Sequence, residues 1–246
     1  MDPMTILGIF AALGAVIGGH YLDGGLLNQL VNLPAALIVF GGTVAAAAVQ
    51  TPKNEFMRAI KLLGWAFGGR RYDYNEGIQQ VVSWCALVRS HGLLALEKPL
   101  DQQTDVFVKN GLQMLIDGHN GEEIRSSMST EMITIEQTDL RAARVIESMG
   151  GYAPTLGIIG AVLGLIQVMS HLKSPDDLGA GIALAFVATV YGVGIANLLL
   201  IPLANKIKGL VLSRYNYQEM MLEGLSAIAQ GQSPRVIQQR LQGFVG

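Results

Sequence analysis

The chain has 246 residues, of which 15% are charged, where a soluble globular domain typically has about 25%. Half of the residues are hydrophobic, the mean hydropathy is +0.39 and the formal net charge is -2. These values exclude intrinsic disorder and a nucleic-acid-binding protein, and the single cysteine, Cys85, excludes a disulfide scaffold. The chain is therefore either a soluble protein with an unusually apolar core or a membrane protein.

The charged residues are unevenly distributed along the chain. Residues 53–147 carry 24 charges, whereas the other 151 residues carry only 12. A helix needs roughly 20 apolar residues to cross a hydrocarbon core of about 30 Å. A chain of this length would rarely bury four such helices in a soluble core. We therefore predict an all-α membrane protein whose spans 1 to 4 are the uncharged segments 3–22, 24–52, 148–172 and 178–205.

The basic residues predict the orientation of these spans. No Lys or Arg precedes Lys53, so the basic start of a signal peptide is missing and span 1 is expected to be retained. The region between spans 2 and 3 has 11 Lys and Arg residues and the tail after span 4 has five, whereas the two outer connections together have one. The positive-inside rule places the basic regions and both termini in the cytoplasm.

This orientation predicts four regions along the chain. Residues 1–52 hold spans 1 and 2, with a short periplasmic turn at about 22–28, and residues 148–205 hold spans 3 and 4, with a turn at about 173–178. Residues 53–147 form a cytoplasmic domain, which apolar residues at helical spacing predict to be helical. Its last helix lacks Gly and Pro from 122 to 148, so it should run directly into span 3. Residues 206–246 form a helical cytoplasmic tail.

Small residues follow spans 1, 3 and 4 in stripes, which is how helices associate in lipid. They indicate either tight packing within one chain or a dense ring of helices around a central object. No Asp, Glu, Lys or Arg lies inside a span, although an ion pathway normally needs an ionisable group there. If the chain moves ions, a partner must supply that group. The stripes are Gly8, Ala11, Ala12, Ala15, Gly18 and Gly19; Gly157, Gly160, Ala161 and Gly164; and Gly179, Gly181, Ala183, Ala185, Ala188, Gly192, Gly194 and Ala196.

Three residues of spans 3 and 4 are candidates for a role in ion movement. Thr189 is the polar residue nearest the middle of span 4, although its hydroxyl could simply bond to its own helix. Pro154 and Pro202 each remove a backbone donor and predict a kink or hinge near the cytoplasmic side. The alternatives are a first-turn proline for Pro154 and a helix end for Pro202.

The cytoplasmic regions contain no recognisable catalytic constellation. The histidines are scattered, the carboxylates are expected at the surface, and no Cys/His set has metal-binding spacing. Cys85 lies on an apolar helical face, which favours a structural thiol. We therefore expect neither an enzyme nor a metal site. One patch differs: Leu93, Leu94 and Leu96 are bracketed by Arg89 and Glu97, which are either two solvated charges or an electrostatic contact surface.

Over essentially its whole length the chain resembles the A subunit of the bacterial flagellar stator, the MotA/PomA family. Its Pro154 and Thr189 segments also resemble the wider TolQ/ExbB group of ion-driven membrane motors. The matching motifs are Arg89-x-x-Gly92-Leu-Leu-Ala-Leu-Glu97, Leu112-x-Met-Leu-x-x-Asp117-Gly-His119, Ala153-Pro-Thr-Leu-Gly157-Ile-Ile-Gly-Ala-Val-Leu-Gly164, Val187-Ala-Thr189-x-Tyr191-Gly192 with Asn197 and Pro202, and Gly224-x-x-Ala-Ile-Ala-x-Gly-Gln-x-Pro234-Arg235.

The resemblance implies a multi-pass inner-membrane protein that forms a ring of five around two single-span B subunits (MotB/PomB-like). Each B subunit contributes the membrane Asp that binds the ion, and no cofactor is needed. Arg89 and Glu97 would contact the rotor protein FliG, while Pro154 and Pro202 would couple protonation of the Asp to movement. Ion flow would turn the ring around its central pair and drive the rotor.

The resemblance also suggests which ion is carried. Sodium-driven members typically have Thr at the positions of Ala161 and Ala188, and often Asp at the position of Asn32. Only Thr189 remains of that hydroxyl set, and because a sodium ion needs several oxygen ligands, we expect proton drive. Two other functions remain open. TolQ/ExbB-type motors usually have three spans and lack the Arg89–Glu97 patch, and transporters or membrane enzymes usually show inverted repeats and a polar site.

Overall fold

A computed structural model describes residues 3–68, 72–170 and 175–245, without the side chains of residues 175–177 and 180. Within these ranges the chain forms helices and short turns and no strand. Four described helical segments are long and apolar enough to cross a membrane, so the predicted all-α fold with four spans is confirmed. Of the turn expected at about 173–178, residues 173 and 174 lie outside the described residues, as does His171, and a helix begins at Pro175.

The chain divides into two compact units. The membrane unit comprises Met1–Gly69 and Asp139–Leu210, and the helical unit comprises Arg70–Thr138 and Val211–Gly246. The membrane unit holds all four spans and the helix Lys53–Gly68. The helices Gly121–Ser170 and Ile201–Ala229 each contribute residues to both units.

Span 1 is a single helix, Pro3–Leu22, with the bounds expected from the charge pattern. It is apolar on all sides and none of its residues is buried within the chain. Near its start the Thr5 hydroxyl accepts a hydrogen bond from the Lys206 ammonium. Near its end the His20 ring lies 3.3 Å from the carbonyl oxygen of Leu26. Such an all-round apolar surface suits contact with lipid or with another membrane helix.

Span 2 is helical over residues 33–50 and is interrupted by one wide turn. The Asn32 side chain caps its start by accepting the N–H of Ala35 at 2.9 Å. The helix is α-helical over Leu33–Ala36, forms a π turn over Leu37–Gly41 and is again α-helical over Gly42–Gln50. The Gly42 N–H donates to the carbonyls of both Ile38 and Val39, which marks the irregular hydrogen bonding of this turn.

Spans 3 and 4 approach each other through glycines. A methyl group added at Gly157, Gly164 or Gly192 would lie 2.5–2.9 Å from a backbone oxygen of the facing helix. Part of the predicted small-residue stripes therefore serves close packing within the chain. Other glycines of the stripes face open space: an added methyl group would meet nothing within 4 Å at Gly8, Gly18, Gly19, Gly179 or Gly194.

Both candidate hinge prolines lie inside long helical segments. Pro154 is in the interior of the helix Gly121–Ser170, so the alternative of a first-turn proline is wrong. Pro202 follows a π turn, Ala196–Leu200, and the helix continues to Ala229, so Pro202 does not mark a helix end. The predicted continuity of the 122–148 helix with span 3 is also present.

Ion pairs connect the charged residues of the membrane unit. Arg58 Nε lies 2.5 Å from the Asp139 carboxylate, whose residue is only 1% exposed. Further pairs join Arg141 to Glu55 at 3.2 Å and Lys208 to Glu147 at 2.7 Å. The expectation that the carboxylates lie at the surface is therefore wrong for Asp139, because its paired guanidinium makes burial of the charge possible.

The helical unit has an apolar core formed by residues from six helical segments. These are Tyr74–His91, Leu93–Leu96, Val106–Ile116, Gly121–Ser170, Ile201–Ala229 and Pro234–Gln242. Its largest fully buried side chains are Leu96, Leu112, Leu115, Ile124, Met128, Met220, Met221, Leu222, Leu225 and Ile237.

A buried carboxylate, Glu223, holds the C-terminal helix of this unit in place. Its two oxygens pair with Arg125 and with Arg240 of the helix Pro234–Gln242, and the Glu223 side chain is 11% exposed against about half for the two arginines. We expect Glu223→Gln to destabilise the unit by about 2 kcal/mol, because two guanidinium groups lose their shared anion. Hydrogen exchange of the purified complex should be faster in Pro234–Gln242, whereas the exposed Glu122→Gln should leave it unchanged. Equal protection in both variants would contradict this role.

Tyr217 makes the helical unit sensitive to alkaline pH. Burial, followed by the nearby Asp105 and Glu76 carboxylates, raises its pKa to about 12 from the ordinary value of 10.0. As the pH rises, the unfolded chain therefore loses this proton before the folded chain does. The contribution of Tyr217 to the free energy of unfolding is fully present below pH 10 and is lost as the pH rises from 10 towards 12. The tyrosinate absorbance of wild type minus that of Tyr217→Phe should titrate near 12 when folded and near 10 in denaturant. A folded midpoint near 10 would contradict this assignment.

Candidate functional sites

The two predicted hinge prolines belong to neighbouring turns of spans 3 and 4. Gly150 lies four residues before Pro154, and a methyl group added at Gly150 would be 2.6 Å from Ile201, the residue before Pro202. Each proline leaves one carbonyl without its usual α-helical donor. The contact therefore brings together two turns with weakened backbone hydrogen bonding.

Thr189 lies beside Gly157 of span 3, in the interior of the uncharged segment of span 4. A methyl group at Gly157 would be 3.4 Å from the Thr189 Cα atom, and Gly157 lies nine residues, about 14 Å, along the helix from the start of span 3. The Thr189 hydroxyl donates to the Ala185 carbonyl at 3.1 Å. The anticipated bond to its own helix is thus present, and the lone pairs of the oxygen remain available to accept a hydrogen bond.

The positions that carry Thr in sodium-driven relatives differ in their surroundings. Ala188 is fully buried, and a methyl group added at Gly160 would lie 2.7 Å from its Cβ atom. A threonine at 188 would therefore crowd span 3. Ala161 is half-buried in span 3, four residues after Gly157. Asn32 serves as the helix cap of span 2.

Tyr191 is a residue whose role the sequence did not reveal. Its hydroxyl donates to the Leu30 carbonyl and accepts the Asn32 N–H at 3.2 Å, and its ring stacks on Phe40 at 5.6 Å. Backbone groups inside a membrane need such partners where the chain is not helical. Tyr191 thereby fixes the connection between spans 1 and 2 to span 4, two residues from Thr189.

A groove of about 990 Å³ opens beside these residues in the membrane unit. Span 1, the connection to span 2, Phe40 and span 4 line it, and almost all of its surface is apolar. Among the described residues the polar side chains on its wall are Thr189, Tyr191 and Asn197. The Asn197 amide donates to the Val193 carbonyl at 2.9 Å, so its oxygen remains available.

The Arg89–Glu97 patch forms an exposed corner of the helical unit. The helix Tyr74–His91 ends at Gly92, whose φ of 82° and ψ of 176° are essentially restricted to glycine. The fully buried Leu96 anchors the following turn, while Leu94 remains 67% exposed. Arg89 and Glu97 are exposed, and within the described residues neither belongs to a salt bridge. This geometry fits both solvated charges and a contact surface.

The other reactive groups have structural surroundings. Burial raises the pKa of the Cys85 thiol, against a smaller opposing effect of Arg89, and its sulfur donates to the Gln232 carbonyl at 3.4 Å. His119 lies 3.3 Å from Glu123 in the cap of the helix Gly121–Ser170, and the Asn120 N–H and His119 lower the pKa of Glu123. No group of three metal-ligating side chains occurs among the described residues.

Comparison with known proteins matches the whole length of the chain. The model of the MotA/TolQ/ExbB proton channel family matches residues 100–220, and the model named "Motility protein A N-terminal" matches residues 6–92. Motility protein A of Bacillus subtilis (strain 168) is 37% identical over 242 residues, covering 98% of this chain and 90% of that protein. Chemotaxis protein PomA of Vibrio alginolyticus is 28% identical over 245 residues, covering 100% and 96%.

Two solved structures closely resemble the fold. The structure of C. jejuni MotAB has a TM-score of 0.94 at 33% identity and covers 100% of this chain and 96% of the compared chain. The flagellar MotAB stator complex from Bacillus subtilis has a TM-score of 0.90 at 36% identity, with coverages of 98% and 95%.

Proposed function

The chain belongs to the motility protein A family and is a stator subunit of the flagellar motor, and we propose that it converts proton flow into torque together with a B subunit. It is a multi-pass inner-membrane protein. The proposed work is ion conduction and movement of protein against protein rather than catalysis of a covalent reaction. Because the relatives of known structure are MotAB complexes, a TolQ/ExbB-type role at the outer membrane is less well supported.

In the proposed topology both termini are cytoplasmic. Residues 1–52 and 148–205 carry the spans, residues 53–147 form the cytoplasmic rotor-interaction domain, and residues 206–246 form the cytoplasmic tail. The distribution of Lys and Arg supports this arrangement.

The single observation that carries the mechanism is the absence of any Asp, Glu, Lys or Arg in the four spans. We propose that a single-span B subunit supplies the ion-binding Asp and that five A chains surround two B chains. The exposed apolar sides of span 1 and the open glycines of spans 1 and 4 offer surfaces for such neighbours. The complex should co-purify in a five-to-two ratio, and an isolated chain in gentle detergent would count against it.

Within this complex, Thr189 is proposed to border the ion path near the membrane centre, with Ala161 on the facing helix. Protonation of the partner's Asp would move span 3 and span 4 at the adjoining turns of Pro154 and Pro202. No cofactor or metal is proposed, and the translocated ion is H+. The contact of Gly150 with Ile201 supports this coupling, because displacement of one proline turn would displace the other.

The choice of proton over sodium can be tested by swimming speed. Speed in the native cell or in a stator-less host should be nearly independent of sodium concentration at fixed proton-motive force. Ala161 and the crowded Ala188 provide no hydroxyl ligands beside Thr189, and a sodium ion needs several oxygen ligands. A steep dependence of speed on sodium would overturn proton drive.

We further propose that Arg89 and Glu97 contact the rotor protein FliG. Their exposure on a corner fixed by Gly92 and Leu96, without a salt-bridge partner in the described chain, supports a role in binding another protein.

A further inference from the structure

Thr43 is a buried polar residue in span 2 that none of the proposed steps uses. It follows the π turn by two residues and is 2% exposed. Its hydroxyl oxygen is buried and has no hydrogen-bond partner among the described protein atoms. Burying an unpaired hydroxyl is unfavourable, and inside a membrane no bulk solvent can replace the missing partner.

Other threonines within helices behave differently. Each of five donates to a backbone carbonyl three or four residues earlier, at distances of 2.7–3.1 Å. For Thr43 the carbonyl four residues earlier is that of Val39, which already accepts the N–H of Gly42 in the π turn. The Thr43 hydroxyl does not make the corresponding bond to the Val39 carbonyl. The five are Thr130, Thr134, Thr138, Thr155 and Thr189.

The surroundings of Thr43 restrict what can satisfy its hydroxyl. The preceding residue, Gly42, lies against Leu156 of span 3, and Val39, one helical turn earlier, belongs to an apolar cluster with Val187 and Ala188 of span 4. Because the residue is enclosed within one chain, a side chain of another subunit cannot reach it. A water molecule is small enough, and it can bond to the hydroxyl and to backbone carbonyls at once.

We propose that Thr43 Oγ1 binds an internal water molecule in the membrane unit. Gly42, the residue before Thr43, lies against Leu156, which is two residues after Pro154 in span 3. Leu156 is next to Gly157, which faces Thr189, so the water lies near the level of Gly157 and Thr189. Ordered water and Thr side chains are the groups that stabilise proline-interrupted membrane helices. Because Gly42 lies against Leu156, two residues after Pro154, we infer that this water lies where span 2 must accommodate bending of span 3, and this role in coupling rests on the proposed stator function.

The water itself can be detected by infrared spectroscopy of the intact A–B complex in a bilayer. Exchange of normal water for oxygen-18 water shifts the O–H stretch of a bound internal water. We expect a shifted band that is present in wild type and Thr43→Ser, lost in Thr43→Val, and unchanged in Thr134→Val. If Thr43→Val does not assemble, the smaller Thr43→Ala replaces it. Identical isotope-difference spectra in wild type and the hydroxyl-free variant would overturn the site.

The coupling role has a separate readout in motor speed. With wild-type amounts of complex, the speed of a bead on the motor should fall at least threefold in Thr43→Val and recover in Thr43→Ser. Unchanged speed in Thr43→Val would overturn the coupling role. If the stator function itself is wrong, the complex with wild-type Thr43 will produce no rotation. The infrared band would still be present, because it does not depend on rotation.

Discussion

Replacing Gly192 with alanine is expected to eliminate functional stators. The new methyl group would lie 2.5 Å from the Ala153 carbonyl oxygen, closer than real Cβ atoms approach backbone, and at a tight 3.1 Å from the Gly157 Cα atom. Spans 3 and 4 would have to separate beside Pro154 and Thr189, because backbone atoms cannot move aside as a flexible side chain can. Overpacking of this kind costs about 1–3 kcal/mol even where side chains can adjust.

The measurements for Gly192→Ala are the yield of complex recovered with a tagged B subunit and the swimming speed. Both should fall by roughly tenfold or more, as a loss above 1.4 kcal/mol implies. Gly209→Ala is the matched control, because Gly209 lies on the continuation of the same helix beyond span 4 and a methyl group there meets nothing within 4 Å. Wild-type yield and speed in Gly192→Ala would show that the close contact of spans 3 and 4 is not needed.

Reversing the charge at Arg89 or Glu97 is expected to stop most motility without affecting assembly. Both residues are exposed and their helical unit does not use them for its core or its ion pairs. Each reversal turns an attraction to a complementary charge on the rotor into repulsion, which should lower torque or stator engagement roughly tenfold. Swimming speed and the number of fluorescent stators at the motor are the measurements.

Lys109→Glu provides a control for the charge reversals. Lys109 is an exposed basic residue of the same unit, on the helix Val106–Ile116, and lies outside the patch. Its reversal changes the net charge by the same amount as Arg89→Glu and should leave swimming normal. If both Arg89→Glu and Glu97→Arg swim normally, the patch is a pair of solvated charges and the assignment of the rotor contact is wrong.

The positions of the spans could be predicted from sequence because they depend only on where charged residues are absent along the chain. Span 1 has the bounds of its uncharged segment, Pro3–Leu22. The helix Gly121–Ser170 continues into span 3 because neither glycine nor proline interrupts it before the membrane, and Pro154 does not end it. The π turns at Leu37–Gly41 and Ala196–Leu200 were not foreseen, since they depend on local hydrogen bonding that composition does not encode.

The sites were only partly predictable, because a side chain's partner depends on which way each helix is rotated. Thr189 and the two prolines stand out by type in an apolar segment. Tyr191 does not, since its role depends on the carbonyl of Leu30, distant in sequence but adjacent in space. The burial of Asp139 likewise depends on the position of Arg58.

The most direct test of the account is torque measured in a cell without stators. A bead attached to a flagellar filament is followed while this chain and its B subunit are induced together. The account predicts stepwise increases in rotation speed as units join the motor, with steps that persist without sodium and vanish when the proton-motive force is abolished. Complexes that reach the membrane in normal amounts but never produce rotation would contradict it.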